Sequence, residues 1–143
     1  MPEQDQKEMQ QKVQKYQQLQ QQMQTFEQYK EQIEAEREKL EETKKSLEEL
    51  ENTEKGQEML FSLGSGAHVI GELKDDSKVL VDLGADVHAK KEVSEAQRLI
   101  DNRIDKIDDT KQEINENIDK AQEEMQDIVP EIQKMQQMQN TDQ

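Results

Sequence analysis

Apolar residues recur along the first third of the chain at alternating steps of three and four. Leu19, Phe26, Ile33, Leu40 and Leu47 form one seven-residue series, and Met9, Tyr16 and Met23 lie three residues ahead of it. This is the seam of a coiled coil. The stretch from about Gln4 to Lys55 has no Gly and no Pro, and its Gln, Glu, Lys and Leu are good helix formers. The pattern predicts one long helix over 5–55. Its second series turns basic at Lys30, Arg37 and Lys44. That thins the stripe, so this half is expected to lean on Tyr29 and Leu50 or on other subunits.

The last third repeats the pattern more strongly. Ile100, Ile107, Ile114, Ala121, Ile128 and Met135 form one series; Ile104, Ile118, Met125 and Ile132 form the other, broken at Lys111. A second long helix over 92–139 follows. Ser94 with Gln97 has the spacing of a capping box, and Pro130 lies off the seam, where it is expected to kink the last turns. Two nearly equal helices around a short middle block suggest an antiparallel pair. Facing residues should then have numbers that sum to about 144 or 151, two choices one heptad apart. At 144, Phe26 faces Ile118 and Leu40 faces Ile104, and either choice brings Phe26 near the small Ala121.

The middle block, 56–91, holds all five glycines. Met59–Leu63 and Ala67–Leu73 flank Gly64-Ser65-Gly66; Lys78–Leu83 and Asp86–Lys90 flank Gly84-Ala85; Asp75-Asp76-Ser77 punctuates between the pairs. Strand-like runs around Gly-containing turns read as two β-hairpins. The predicted fold is α+β and mainly α: a long antiparallel two-helix coiled coil with two hairpins at the helix-connecting end, all in one elongated domain over 1–143. Isolated hairpins are only marginally stable in water. Their apolar faces and open edges are expected to be completed by a sheet or barrel shared with sister subunits.

Composition sharpens this picture. Only 28 of 143 residues are Leu, Ile, Val or Phe, and the net charge is −15, a signature that disordered chains share. The seven-residue series shows instead where most of these residues go: a narrow seam along two helices, and one face of two hairpins. Cysteine is absent, which removes disulfides, thiolate metal sites and thiol nucleophiles. No apolar run of about 18 residues predicts a membrane helix, and no N-terminal apolar segment reads as a signal peptide, so a cytoplasmic location is expected. The acidic balance argues against nucleic acid as a partner, which needs a basic footprint.

Candidate chemistry is sparse. Glu41/Glu42, Glu48/Glu49 and Asp108/Asp109 are adjacent pairs, and neighbours on a helix do not face each other; they read as a solvated face. Gly64-Ser65-Gly66 lacks the rest of a phosphate-binding fingerprint. His68 and His88 make a poor metal site without a third ligand and read as ordinary strand residues. No catalytic, cofactor or metal site is expected, and the chain does not read as an enzyme.

The chain ends are more informative. Eleven of the first 24 residues are Gln, and Met1, Met9, Met135 and Met138 lie near the termini. Unbranched Met and uncharged Gln beside Val13, Tyr16 and Leu19 make a soft surface suited to varied apolar segments. The same residues also simply continue the seam.

Residues 60–91, LFSLGSGAHVIGELKDDSKVLVDLGADVHAKK, followed by a helix with Glu95-Ala96 near its start, closely resemble the double-hairpin signature of the α-type subunit of prefoldin, in an archaeal-like form. The resemblance covers nearly the whole chain, and two hairpins rather than one point to the α class. The family usually has Pro at Ser62 and often Gly at Asp86. The resemblance implies a heterohexamer of two α-type with four prefoldin β-type subunits, its hairpins joined into a double β-barrel platform. It implies an ATP-independent holdase, with no cofactor, that captures unfolded client polypeptides between coiled-coil tips and delivers them to a group II chaperonin. By position, Met9, Val13, Tyr16, Leu19, Ile132, Met135 and Met138 would line the tip, and Val69, Leu73, Val79, Val81 and Val87 would pack in the platform. The alternative is a structural filament protein whose hairpins polymerise and whose tips bind no client.

Overall fold

The computed structural model describes residues 3–75 and 77–141; Met1 of the terminal methionines and Asp76 of the inter-hairpin segment lie outside them. The chain order is helix α1 (Glu3–Glu51), strands β1 (Glu58–Gly64), β2 (Ala67–Glu72), β3 (Lys78–Gly84) and β4 (Val87–Glu92), then helix α2 (Val93–Thr141). The fold is therefore mainly α, two long helices with two antiparallel hairpins between them in sequence. Contacts divide the chain into two compact units. One joins the described residues of Met1–Ala35 and Asp108–Gln143; the other is Glu36–Ile107.

In the first unit, Leu19, Ile33, Ile114, Ile118 and Ala121 are buried, and Met9, Tyr16, Met23, Phe26 and Lys30 are half-buried. These are the seam positions of the seven-residue series. Lys12 Nζ reaches Glu131 Oε2 at 2.7 Å, and Lys111 Nζ reaches Glu34 Oε1 at 3.0 Å. The α2 partner number falls as the α1 number rises, so the helices run antiparallel here. The pairs sum to 143 and 145, which selects the register near 144 over 151. Tyr29, by contrast, is 48% exposed. It sits between the seam positions Phe26, Lys30 and Ile33 and points off the stripe, so it does not support the thin half of the seam.

The second unit has its own core. Leu47, Ala96, Ile100 and Ile104 are buried together, and Leu40, Val79 and Val81 pack on them. Each fully buried aliphatic chain contributes on the order of 1.5–3 kcal/mol. The basic seam positions are accommodated by bending the charge outward: the half-buried stem of Lys44 covers apolar surface while its Nζ meets Asp101 Oδ1 at 3.0 Å, again near the same register. Leu50 is half-buried.

Helix α1 stops at Glu51, four residues short of the expected end. Asn52 N and Thr53 N donate to the carbonyls of Glu49 and Leu50, both at 3.1 Å, tightening the last turn. Gly56 then takes φ +87° and donates its N–H to Leu73 O at 2.7 Å. Helix α2 starts at Val93, directly after β4, with Val93 N donating to Ser77 O at 3.1 Å. Ser94 is thus inside the first turn and is not the N-cap. At the other end α2 continues through Pro130.

The first hairpin has a loop one residue shorter than Gly64-Ser65-Gly66, and the second turns one residue later than Gly84-Ala85. Gly64 pairs with Ala67 and Gly84 with Val87, leaving Ser65-Gly66 and Ala85-Asp86 as two-residue loops. All four loop residues have positive φ, as a type I′ turn requires. Leu63 and Leu83 are extra residues on their strands, so each hairpin carries a bulge next to a glycine of positive φ. Ser62 Oγ accepts from Gly64 N at 3.2 Å, and Asp82 Oδ1 accepts from Gly84 N at 2.9 Å. The two hairpins thus fix the same bulge with different side chains.

Candidate functional site

Two surfaces carry the residues that the sequence marked, and they belong to different units. The first is the hairpin surface. Strand alternation gives each hairpin two faces. In β3–β4, Val79 opposes Lys91 and Val81 opposes Ala89; this face is half-buried on the chain's own core. Arg103 of α2 donates from Nη2 to Asp82 O at 3.1 Å and ties the hairpin down. The other face carries Leu80, which is 67% exposed.

Both faces of hairpin β1–β2 carry exposed apolar residues. Leu60 opposes Ile70 on one side and Phe61 opposes Val69 on the other, and all four are exposed. The ring of Phe61 lies over Gly71, where a Cβ would come within 2.9 Å of its Cε2. Ten large apolar residues are exposed among the described residues, and eight of them lie on the hairpins. Of the expected platform residues, Val69 and Val87 are exposed, Leu73 is half-buried, and Val79 and Val81 face the chain's own core. Leu60, Phe61, Leu63, Ile70, Leu80 and Leu83 are exposed on the hairpins as well and are not among the expected platform residues. A signal existed, because Leu60-Phe61 and Val69-Ile70 are apolar on both faces of a strand that no second layer in this chain can cover.

The second surface is in the helical unit. Met9 and Val13 line an open cleft with Gln6, Gln10, Gln14 and Gln139. Met9, Val13, Tyr16, Ile132 and Met135 are half-buried, Met138 is 56% exposed, and Leu19 is buried in the seam. Met9 and Val13 therefore share one cleft, while Leu19 serves packing.

Electrostatics here are those of solvated ion pairs. The hydrogen bond and charge of Lys111 hold the Glu34 carboxyl below its ordinary range, and the hydrogen bond and charge of Asp101 push the Lys44 ammonium up. Hydrogen bonds from Ser77 N and Oγ lower the Asp75 carboxyl and close the segment between the hairpins. His68 pairs with Ser62 and His88 with Asp82, on separate hairpins. Among the described residues no group of three or more His, Cys, Asp or Glu is placed to hold a metal, and no helix is long and apolar enough to cross a membrane.

The sequence pattern of the prefoldin subunit family matches residues 19–138. The chain belongs to the prefoldin family. The fold agrees. A chain in the cryo-EM structure of filamentous PFD from Methanocaldococcus jannaschii superposes with a TM-score of 0.74 at 21% identity, covering 83% of this chain and 98% of that one. Among curated proteins no sequence match is found. Prefoldin membership implies assembly with other prefoldin subunits.

Proposed function

We propose that this chain is an α-type prefoldin subunit and a component of an ATP-independent, cytoplasmic holdase. Two copies join four β-type subunits through the hairpins. The assembly captures unfolded polypeptides at the helical ends, through Met9, Val13 and Met138 with Tyr16, Ile132 and Met135 behind them. It passes them to a group II chaperonin. The observation that carries this reading is the bareness of the hairpins: eight of ten exposed large apolar residues lie there. A lone soluble chain rarely leaves such a patch open. The second hairpin supports the α-type assignment by its resemblance to that class. The uncharged cleft at Met9 and Val13 supports capture of apolar segments. The reading assigns no catalytic step to any residue.

Two measurements test it. Native mass of the chain with and without a β-type subunit should show a hexamer only in the mixture. Removing residues 1–18 and 132–143 should leave that hexamer intact and weaken its suppression of client aggregation; unchanged suppression would overturn the client site. A second reading is favoured by one finding, since one solved structure with the same fold is of a filamentous PFD. There the hairpins would polymerise and the helical ends bind no client. Native mass that grows with concentration in the chain alone, indifferent to added β-type subunit, would establish that reading instead.

A further inference from the structure

Among the described residues, the linings of three clefts in the helical unit hold no charged side chain, in a chain that is 37% charged. The first holds Met9 and Val13 among Gln6, Gln10, Gln14 and Gln139. The second is lined by Gln18, Gln21 and Gln22 with Thr25 and Phe26. The third combines Gln17, Gln20 and Gln24 with Met23 and Met125. A fourth cleft, over Phe26 and Ala121, is bordered by Lys15, Lys120 and Glu124, so neutrality is a property of those three clefts and not of the whole unit.

The spacing explains the amide row. Gln6, Gln10, Gln14, Gln17 and Gln21 follow steps of three and four, which align side chains along one helix face. Gln6, Gln10 and Gln14 are exposed, with half-buried Met9 and Val13 beside them. An amide offers both donors and acceptors and no charge. In a folded protein backbone N–H and C=O groups are already paired, whereas an extended non-native chain presents both at every residue. A row of amides beside apolar pockets matches that combination. A ligand chosen for its own charge would instead find no counter-charge in these linings.

We propose that the amide stripe of α1 hydrogen-bonds the unpaired backbone of an extended non-native polypeptide, while Met9 and Val13 take up its apolar side chains. The inference rests on the client-binding reading above and adds that recognition is of backbone as well as side chains. It predicts capture that depends little on client charge or on salt, since neutral contacts are not screened.

The test uses the complete complex with its partner subunits and, as probe, reduced and alkylated α-lactalbumin. In Gln6→Ala/Gln10→Ala/Gln14→Ala the helix is kept, because Ala is the best helix former, and the surface becomes more apolar. Backbone recognition therefore predicts weaker capture, by about tenfold or more for three lost neutral hydrogen bonds. Purely apolar capture predicts equal or stronger binding, and either result overturns the proposal. The companion variant Met9→Ala/Val13→Ala separates the two levels. If it weakens capture and the Gln variant does not, only the amide inference fails; if neither does, the client site itself fails. A changed native mass in the Gln variant would mean that the stripe packs against a second copy or another subunit, and would also overturn the proposal.

Discussion

Hairpins β1–β2 and β3–β4 have the same six-pair register and the same bulge before a two-residue loop, yet only one of them is covered by its own chain. Val79 and Val81 of β3 rest on Leu47, Ala96, Ile100 and Ile104, whereas Leu60, Phe61, Val69 and Ile70 are all exposed. Backbone pairing alone thus does not decide what a hairpin is for. The second hairpin is part of the subunit's fold, and the first contributes little to that fold and is available to partners.

The largest expected effect tests this division directly. Leu60→Ser with Ile70→Ser should abolish the mixed complex in native mass spectrometry while leaving the helix content and melting of the lone chain nearly unchanged. Val81→Ser should do the reverse in the lone chain, lowering its melting temperature. If the Leu60/Ile70 variant melts early, or the complex forms as before, the two hairpins do not divide labour in this way.

Next in size is the core under the second hairpin. Ile100 is 6% exposed, so Ile100→Ala removes buried methylenes and leaves a cavity, at a cost of about 2–5 kcal/mol. Phe61→Ala deletes a larger side chain, but one that is 42% exposed in the lone chain. Chemical denaturation should rank Ile100→Ala as the more damaging of the two in the isolated chain. If partners cover Phe61, the ranking should narrow or invert in the assembled complex.

Much of the fold could be read from the sequence because its elements are periodic. The series through Leu19, Phe26 and Ile33, and that through Ile100, Ile107 and Ile114, give the helices, and the clustered glycines give the hairpins. What could not be read depends on contacts that periodicity does not encode. Alternation shows that Val79 and Val81 share a face but not that this face meets Ile100. The first turn is one residue shorter than its glycines suggest and the second lies one residue later, because a glycine can close the last strand pair as well as occupy the loop. The chain uses Gly64 and Gly84 to close the pairs and puts Ala85 and Asp86 into the left-handed region, where neither residue is an obvious choice. Of the expected tip residues, the half-buried Met9 and Val13 do meet in a cleft, whereas Leu19 belongs to the packed seam.

The turns also allow a comparison of smaller size. Ala85 and Asp86 have φ of +50° and +61°, a region that costs an ordinary L-residue roughly 1–2 kcal/mol and an Asp less. Ala85→Asn with Asp86→Gly installs the pair that type I′ turns favour and should stabilise the chain by about 1 kcal/mol. Ser65→Asn in the other hairpin should gain less, because Gly66 already occupies the second loop position. Equal gains, or a loss at 85–86, would show that the left-handed backbone there carries no strain.

The smallest effect concerns the ion pairs that flank the seam. Lys111 holds the Glu34 carboxyl below its ordinary value, so the unfolded chain takes up this proton more readily than the folded one. The pair therefore stabilises above the unfolded carboxylate pKa, and its contribution is lost as pH falls through the lower folded value. Lys44 is shifted the other way by Asp101, and its contribution is lost only as pH rises through the raised folded value. The wild type alone cannot show this, because a net charge of −15 relaxes as carboxylates protonate and masks the loss. The difference in melting temperature between wild type and Glu34→Gln removes that background. It should be small and positive at neutral pH, shrink in high salt because the pair is exposed, and vanish in acid. A difference that persists below the carboxylate range would mean that Glu34 acts through packing and not through its charge.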